Sequence, residues 1–243
     1  MTSAPTRSTS AVFTPLRSGS LVDQISDRIA ESAESGLLPP GQRLPNEVEF
    51  AASLGVSPLT VREALARLRD ADIVVTTRGR NGGSFISADL EPSTDRAETR
   101  LRDTSRIDIF EIGAHYEALA VACARAAARR AGAKDLDLLR AFADDVDDDP
   151  VRSRQSETEF LVEVAATGRI ARLARALMRA QSEFGVLTFL PHTDPVYRDA
   201  SARHRRATVA AVASRSETDA EETVRRLVGD QVAWLLVRRD ELV

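Results

Sequence analysis

The stretch that decides the fold is FAASLGVSPLTVREALARLRD, residues 50–70. Gly55 interrupts its helical pattern and Ser57-Pro58 restarts it, because serine is a good N-cap and proline suits the first helical position, where no amide donor is needed. The segment that follows carries an apolar stripe: Val61, Leu65 and Leu68. The stretch therefore predicts two helices joined by a tight turn over residues 54–57.

The flanking segments predict the rest of an N-terminal domain over residues 20–88. Upstream, Ser20 is a candidate N-cap for a helix that ends at Gly36, and Asn46 opens a second, short helix. Downstream, two short β-branched runs, 73–77 and 84–87, flank a basic, glycine-rich tip and predict a hairpin. Three helices followed by a hairpin form the winged helix-turn-helix arrangement.

In such a domain the third helix lies in the major groove of DNA, with its N-terminal residues at the base edges. Ser57, Thr60 and Arg62 are the side chains placed there. Arginine pairs with guanine through two hydrogen bonds, and serine and threonine hydroxyls contact bases or phosphates. Arg78 and Arg80 at the hairpin tip suit the minor groove, where narrow A·T tracts attract arginine.

The overall charge gives no indication of DNA binding, since the 243-residue chain carries a net charge of −4. Any DNA contact must therefore come from a local cluster. Residues 57–88 supply one, with five arginines against three acidic residues. With 43% hydrophobic and 29% charged residues the chain has the composition of a soluble globular protein.

Cellular location is predicted from absences in the sequence. Cys123 is the single cysteine, which excludes an intrachain disulfide and requires no oxidising compartment. No apolar stretch approaches the roughly 20 residues that span a bilayer. We expect a cytoplasmic protein with no membrane partner, and we expect residues 1–19, which are rich in Ser, Thr, Arg and Pro, to be a disordered arm.

The second half of the chain has a helical period throughout. Residues 89–104 are polar and turn-rich and predict a linker, and residues 105–243 predict an all-α domain. We expect its helices near 105–131, 134–148, 155–167, 169–190, 195–214 and 217–240. The predicted fold class is therefore mainly α, with the winged helix-turn-helix first and a helical domain second.

Residues 21–87 resemble the GntR family of transcription regulators. The runs that agree with the family are Leu38-Pro39-Pro40-Gly41, Arg43-Leu44-Pro45, Leu54-Gly55-Val56-Ser57 and Thr60-Val61-Arg62-Glu63-Ala64-Leu65. The resemblance implies operator binding by Ser57, Thr60 and Arg62 and by the wing around Arg78, Gly79 and Arg80.

The chain departs from the family pattern at four positions of this unit. Val48 stands where the family usually has an arginine that contacts DNA, and Pro58 and Leu59 replace an Arg-Thr type pair. Asp72 occupies the place of a usual glycine. These departures concern the operator sequence and affinity rather than the fold.

Residues 105–240 resemble the FadR-type effector domain of the same family, the FCD domain. Matching segments are Ile107–Ile112 through Glu117 and Ala120, Lys134-Asp135-Leu136, Phe160, Ala165–Gly168, Arg203-His204-Arg205 and Asp219-Ala220-Glu221. The resemblance implies an antiparallel helical bundle that encloses a small-molecule pocket. Many relatives hold a metal there with one Asp and three His residues.

Carried over residue by residue, Glu157 stands at the Asp position, Leu161 at the first His, His204 at the second and Asp230 near the third. Gly113 replaces an arginine that can face the ligand. We expect a small ligand, an organic acid, among Glu157, His204, Asp230 and Glu117. Our default expectation is an apolar or purely hydrogen-bonded pocket. The alternative is a divalent metal such as Zn²⁺, which Glu157, His204 and Asp230 would suit.

The two remaining histidines carry weaker expectations. His115 lies off the face of Gly113 and Glu117, which predicts a residue on the helix surface or at an interface. His192 stands between Pro191 and Thr193, and we interpret it as a loop residue.

Three functions compete at this point. The first is a transcription regulator that binds a short inverted repeat of double-stranded DNA as a homodimer, under the control of a small-molecule effector. The second is a constitutive dimeric DNA-binding protein with a vestigial pocket, and the third is a helical enzyme with a DNA-binding appendage. Against the enzyme, the sequence has three histidines and no His-Glu-x-x-His or Gly-x-Ser-x-Gly motif.

Overall fold

The computed structural model describes residues 20–77, 79, 82–90 and 92–243. Its N-terminal unit comprises three helices and a hairpin: α1 (Leu21–Glu34), α2 (Glu47–Leu54), α3 (Pro58–Asp70), β1 (Val74–Thr77) and β2 (Gly83–Ile86). The predicted disordered arm, residues 1–19, lies outside the described residues.

Side-chain caps start each of the three helices where the sequence predicts. Ser20 forms a capping box with Asp23 at the start of α1. The Asn46 carboxamide oxygen accepts hydrogen bonds from the amides of the second and third residues of α2. The Ser57 hydroxyl accepts one from the Thr60 amide at 3.1 Å. Gly55 ends α2 with φ 68°, a left-handed conformation that glycine adopts without strain.

The hairpin packs against this three-helix core through its buried edge. Val74 pairs with Ile86 and Thr77 with Gly83 in an antiparallel register. Both Val74 and Ile86 are buried together with apolar residues of all three helices. Arg43 reaches the hairpin and donates to the carbonyl of Gly82 at 2.9 Å.

The segment predicted as a polar linker is largely helical. Residues Ala88–Leu90 form a 3₁₀ turn, and Ser93 caps a helix, α4 (Thr94–Asp103). Ala97 and Leu101, four residues apart, are fully buried in the core of the C-terminal domain. The polar composition did not indicate this helix, because two apolar residues at helical spacing suffice to dock a helix whose other positions are polar.

The C-terminal domain consists of a further six helices: α5 (Arg106–Arg130), α6 (Ala133–Asp144), α7 (Pro150–Thr167), α8 (Ala171–Phe184), α9 (Pro195–Ala213) and α10 (Glu217–Leu242). A run of 3₁₀ structure, Gly185–Thr193, follows α8, where the sequence predicts continued α-helix. Gly185 takes φ 54° and interrupts the helix there.

The long helices α5 and α10 form the antiparallel centre of this domain. Ion pairs join their opposite ends, Arg106 with Asp240 and Arg129 with Glu217. A Cβ atom at Gly113 would lie 2.6 Å from a methyl group of Val232, so glycine permits the close approach of the two helices. The arginine that the family resemblance places at this position would not fit without moving α10.

Among residues 92–243 the structure contains helix and no strand. The predicted fold class, a winged helix-turn-helix followed by an all-α domain, is confirmed.

Candidate functional site

The start of α3 is an exposed, tightly capped helix end. Ser57 caps the helix, and its hydroxyl also lies 2.8 Å from that of Thr60. Both hydroxyls are therefore oriented by each other and by the helix backbone. A helix N-terminus presented in this way attracts phosphate oxygens through its free amides.

Arg62 lies on the outward face of α3, where Glu47 holds its guanidinium. The Nε and Nη2 atoms donate to Glu47 Oε2 at 2.9 and 2.7 Å. The hydrogen bonds and the charge of Glu47 raise the pKa of Arg62. Since Glu47 is the first residue of α2, this pair fixes Arg62 relative to both helices of the helix-turn-helix.

Two of the departures from the family pattern place large apolar side chains on this same surface. Leu59 is 59% exposed one turn before Arg62, and Val48 is 67% exposed next to Glu47. Leu59 and Arg62 are three residues apart and share a helix face. The surface therefore combines one oriented cation with two apolar side chains.

Of the two remaining departures, Pro58 is the first residue of α3, and Asp72, like Gly79 of the wing, has a positive φ. Asp72 adopts φ 57°, a left-handed conformation that suits the glycine usual in the family and that Asp tolerates better than most residues. Gly79 has φ 116°, which L side chains rarely adopt. Arg78 and Arg80, predicted to contact the minor groove, lie outside the described residues.

Of the three residues predicted to hold a metal, two come together and the third does not. His204 Nε2 lies 3.0 Å from Asp230 Oδ2 in a partly exposed pair. Glu157 is buried in another set of contacts, and Leu161, at the position of an expected ligand, is a buried apolar residue. In the part of the chain that the structure describes, no three His, Cys, Asp or Glu side chains could hold an ion. The donor set does not fit the predicted divalent metal.

Glu117 does not join the predicted ligand site either. Its carboxylate lies 3.4 Å from the guanidinium of Arg225 on the surface between α5 and α10. The four residues predicted to bind an effector thus divide among three places: Glu157 in the interior, the His204–Asp230 pair, and Glu117.

Glu157 on α7 is the centre of a buried polar cluster, which we define as Glu157, His192, Tyr197, Ser201 and Arg205. The Tyr197 hydroxyl lies 3.2 Å from both carboxylate oxygens, and the Ser201 hydroxyl donates at 2.5 Å. His192 Nε2 is 3.7 Å from Glu157 Oε1, beyond a hydrogen bond but within reach of its charge. Arg205 donates to the carbonyls at the C-terminal end of α6.

The electrostatics of the buried polar cluster favour a charged Glu157. Burial by itself raises the pKa of a carboxyl, but His192, the Ser201 hydrogen bond and Arg205 outweigh it and hold the pKa of Glu157 below its ordinary value. Burial and the adjacent carboxylate together raise the pKa of Tyr197 well above its usual range. The cluster thus holds an anion surrounded by donors.

Two polar nitrogen atoms of the cluster have no hydrogen-bond partner among the described residues. They are His192 Nε2 and Arg205 Nε, and both are buried. Buried polar atoms without partners are rare in native proteins and mark functional positions or sites for a water or a ligand.

Sequence reasoning missed most of this cluster. His192 was interpreted as a loop residue, whereas it is 1% exposed and its ring packs edge-on against Tyr197. A signal was present in the spacing, since Tyr197 and Ser201, like Ser153 and Glu157, are polar residues four apart on otherwise buried helix faces. His115, predicted at the surface, is exposed.

An open groove of about 660 Å³ lies beside the cluster, between α4, α9 and α10. Tyr197 lines it, so the ring separates the groove from Glu157, and Asp230 and Trp234 form part of its wall. Acidic side chains outnumber the single arginine in the lining. The groove meets the cluster at the Tyr197 ring alone among the lining residues, and its acidic lining does not favour an anion.

Family models match both halves of the chain. The model of the bacterial regulatory proteins of the gntR family matches residues 21–86, and the FCD domain matches residues 108–230. The chain belongs to the GntR family. The resemblance drawn from the sequence, including the FCD type of the C-terminal domain, is confirmed.

Relatives of this GntR protein carry regulator names. RmpR of Mycobacterium gastri, named as an HTH-type transcriptional regulator, is 36% identical over 181 residues, which cover 74% of the chain and 66% of RmpR. A protein of Escherichia coli named for regulation of the L-lactate dehydrogenase operon is 28% identical over 151 residues, which cover 60% of the chain and 57% of that protein. The matches thus span about two thirds of these relatives or less.

A solved structure shares the fold of the GntR chain. Escherichia coli McbR/YncC superposes with a TM-score of 0.54 over 90% of the chain and 98% of McbR/YncC, at 16% sequence identity. At that identity the likeness concerns the fold alone. Within the described residues no helix is long and apolar enough to cross a membrane.

The depressed pKa of Glu157 predicts a pH-dependent contribution to stability. Glu157→Gln should lower the free energy of unfolding at pH 7 by about 1–3 kcal/mol, because the Tyr197 and Ser201 hydroxyls lose a charged acceptor. A carboxyl with a lowered folded pKa stabilises above its unfolded pKa of about 4.3, and this stabilisation is lost as the pH falls through the lower folded value. Urea titrations from pH 7 to 3 should show the difference between the two proteins shrinking. A difference that stays constant or grows in acid would contradict a charged Glu157.

Proposed function

We propose that the protein is a cytoplasmic DNA-binding transcription regulator whose affinity for its operator is controlled by a small molecule bound in the helical domain. The observation that carries the DNA-binding part is the start of α3, where the Ser57 cap and the Glu47-held Arg62 form one exposed surface. In this proposal α3 lies in the major groove. Ser57 and Thr60 contact backbone or bases, Arg62 reads guanine, and the wing residues Arg78, Gly79 and Arg80 contact the minor groove.

The effector site that we propose is the buried polar cluster. Two unpartnered atoms suit the carboxylate of an organic acid: Arg205 Nε, which donates, and His192 Nε2, which donates in the tautomer protonated there. Such a ligand would enter from the groove at Tyr197 and compete with Glu157 for the hydroxyls of Tyr197 and Ser201. No step of this proposal involves a metal.

A second candidate is a constitutive DNA-binding protein whose helical domain only dimerises. It is favoured by one observation, that Glu157 already occupies the hydroxyl donors of the cluster. The two functions differ in thermal-shift screens with small carboxylic acids, since only the first requires compounds that raise the melting temperature and alter operator binding.

We propose further that the protein acts as a homodimer through α5. Ile107 is 69% and Phe110 64% exposed, and with Ala114 they form an apolar stripe on one face of that helix. A second copy packed on this stripe would place two α3 helices on two half-sites of an inverted repeat.

For the dimer, Phe110→Arg should give a monomer, because the charge cannot be paired in an apolar interface. Light scattering at micromolar concentration should report twice the 26.4 kDa chain mass for the unmodified protein and one chain mass for the variant. Leu138→Arg, an exposed apolar residue of α6, is the matched control and should remain dimeric. An unmodified protein that is monomeric with and without DNA excludes this interface.

Arg62→Ala tests the reading helix. An operator is first selected from a pool of random duplexes, and its affinity is then measured by gel-shift titration. The variant should lose about 1–3 kcal/mol of specific binding and keep its circular dichroism spectrum, since Arg62 is exposed and carries no core contact. Arg67→Ala removes another ion-paired arginine of α3, on the side held by Asp23, and should change specific binding less. Equal losses in both variants would refute the assigned role of Arg62.

The exposed leucine of α3 predicts a contact of a different kind. The apolar feature of the major groove is the methyl group of thymine, and Leu59 stands where it would meet one. Replacing thymine by deoxyuridine at one half-site position should weaken binding by about 0.8 kcal/mol, roughly fourfold, because one methyl group is no longer buried. Leu59→Ala should bind both duplexes equally. Retention of the thymine preference by Leu59→Ala would show that another residue reads the methyl group.

A further inference from the structure

The first helix of the DNA-binding unit ends against the C-terminal domain. Arg154 of α7 donates from Nη1 to the carbonyl oxygen of Glu34, the last residue of α1, at 2.8 Å. The arginine is only 2% exposed. A cation at this end of a helix is favourable because the free carbonyl groups there carry partial negative charge.

The sequence just after α1 allows this contact at Gly36. The residue has φ 83°, and a Cβ atom there would lie 2.7 and 2.8 Å from Nη2 and Cζ of Arg154. The guanidinium therefore rests directly on the glycine backbone. Burial lowers the pKa of Arg154 to about 10, so the group stays charged at neutral pH.

Arg154 is also next to the buried polar cluster. The Ser153 hydroxyl lies 2.9 Å from His192 Nδ1, and the other ring nitrogen of His192 faces Glu157 at 3.7 Å. Ser153 and Arg154 are adjacent near the start of α7, and Glu157 lies one turn after Ser153. The first turn of this helix is fixed by the Asp149 cap and Pro150. One rigid helix thus carries both the contact to the cluster and the contact to α1.

We propose that Arg154 is the positioning residue that transmits the state of the buried polar cluster to the DNA-binding unit, by holding or releasing the C-terminal end of α1. This inference rests on the proposed function, and it adds the route by which the effector site acts on DNA binding.

We expect two alternative arrangements, one in which Arg154 holds the Glu34 carbonyl and one in which it does not. A ligand that displaces the present partners of Glu157 or His192 changes the orientation of the His192 imidazole. Ser153 must then move with the imidazole or lose its hydrogen bond to it. A shift of the first turn of α7 moves Arg154 away from Glu34. A buried guanidinium without its acceptor is strongly unfavourable, so it either keeps this contact or leaves for another. Bistable contacts of this kind convert small shifts into domain movements.

Hydrogen exchange of the full-length protein tests the route without DNA or effector. The reporters are the amides of Ser35, Gly36 and Leu38, which are hydrogen-bonded at the end of α1. Arg154→Gln should speed the exchange of these three amides about tenfold, because it removes the contact itself. Glu157→Gln and Ser153→Ala should each have the same effect, although Arg154 is still present. Amides of α10 serve as the reference for global stability.

The matched control is Thr208→Ala, which removes a buried hydroxyl of α9 that lies off this route. It should leave the three reporters unchanged relative to α10. If Arg154→Gln alone speeds exchange and neither Ser153→Ala nor Glu157→Gln does, Arg154 is a structural contact and the inference is overturned. Should Glu157→Gln fail to fold, Ser153→Ala decides the question.

Operator titrations separate this inference from the proposed function. Failure of the unmodified protein to bind any selected duplex would overturn the proposed function while leaving the exchange result readable. With a bound operator, Ser153→Ala should change the affinity at least about fivefold and Thr208→Ala should not. An unchanged affinity in Ser153→Ala, with normal binding by the unmodified protein, overturns the inference alone.

Discussion

The Arg154 guanidinium joins the end of α1 to the helical domain, beside the Arg96–Glu34 ion pair and the contact of the Thr188 hydroxyl with the Ser35 carbonyl. It places a buried positive charge against the carbonyl of Glu34, with Gly36 as the residue that lets the group approach. Arg205 plays the same part inside the helical domain, at the end of α6. Two buried arginines thus cap helices from a distance in sequence, and both lie beside the carboxylate of Glu157 or on its helix.

The same hydrogen bonds form the proposed effector site and hold the start of α7. Buried polar networks are stabilising when every group is satisfied and costly when one is not. The network around Glu157 is satisfied at the carboxylate but not at His192 Nε2 or Arg205 Nε, counting partners among the described residues. A ligand that supplies the missing acceptors would rearrange hydrogen bonds that also hold the start of α7.

The sequence predicted the DNA-binding unit well because local rules decide it. The Ser57 cap, the Gly55 turn and the hairpin over 73–87 are each set by residues a few positions apart. The helical domain was predicted as helices, but not its site. The resemblance grouped Glu157, His204 and Asp230. The fold pairs His204 with Asp230 but places Glu157 with Tyr197. Such partners are 26 and 40 residues apart, and spacing along one helix carries no information about them.

Two departures from the expected pattern also acquired a physical reason only in three dimensions. Gly113 allows α5 to approach Val232 of α10, and the polar segment after the wing docks through Ala97 and Leu101. In both cases the deciding neighbour comes from a distant part of the chain.

The most direct experiment compares the effect of a ligand on operator affinity in the unmodified protein and in Arg154→Gln. A small carboxylic acid that raises the melting temperature is titrated against the complex of the protein with its selected operator, for the unmodified chain and for Arg154→Gln. If Arg154 transmits the state of the buried polar cluster, the compound raises both melting temperatures alike and changes operator affinity at least about fivefold in the unmodified protein alone. An equal change of operator affinity in Arg154→Gln would contradict this role of Arg154.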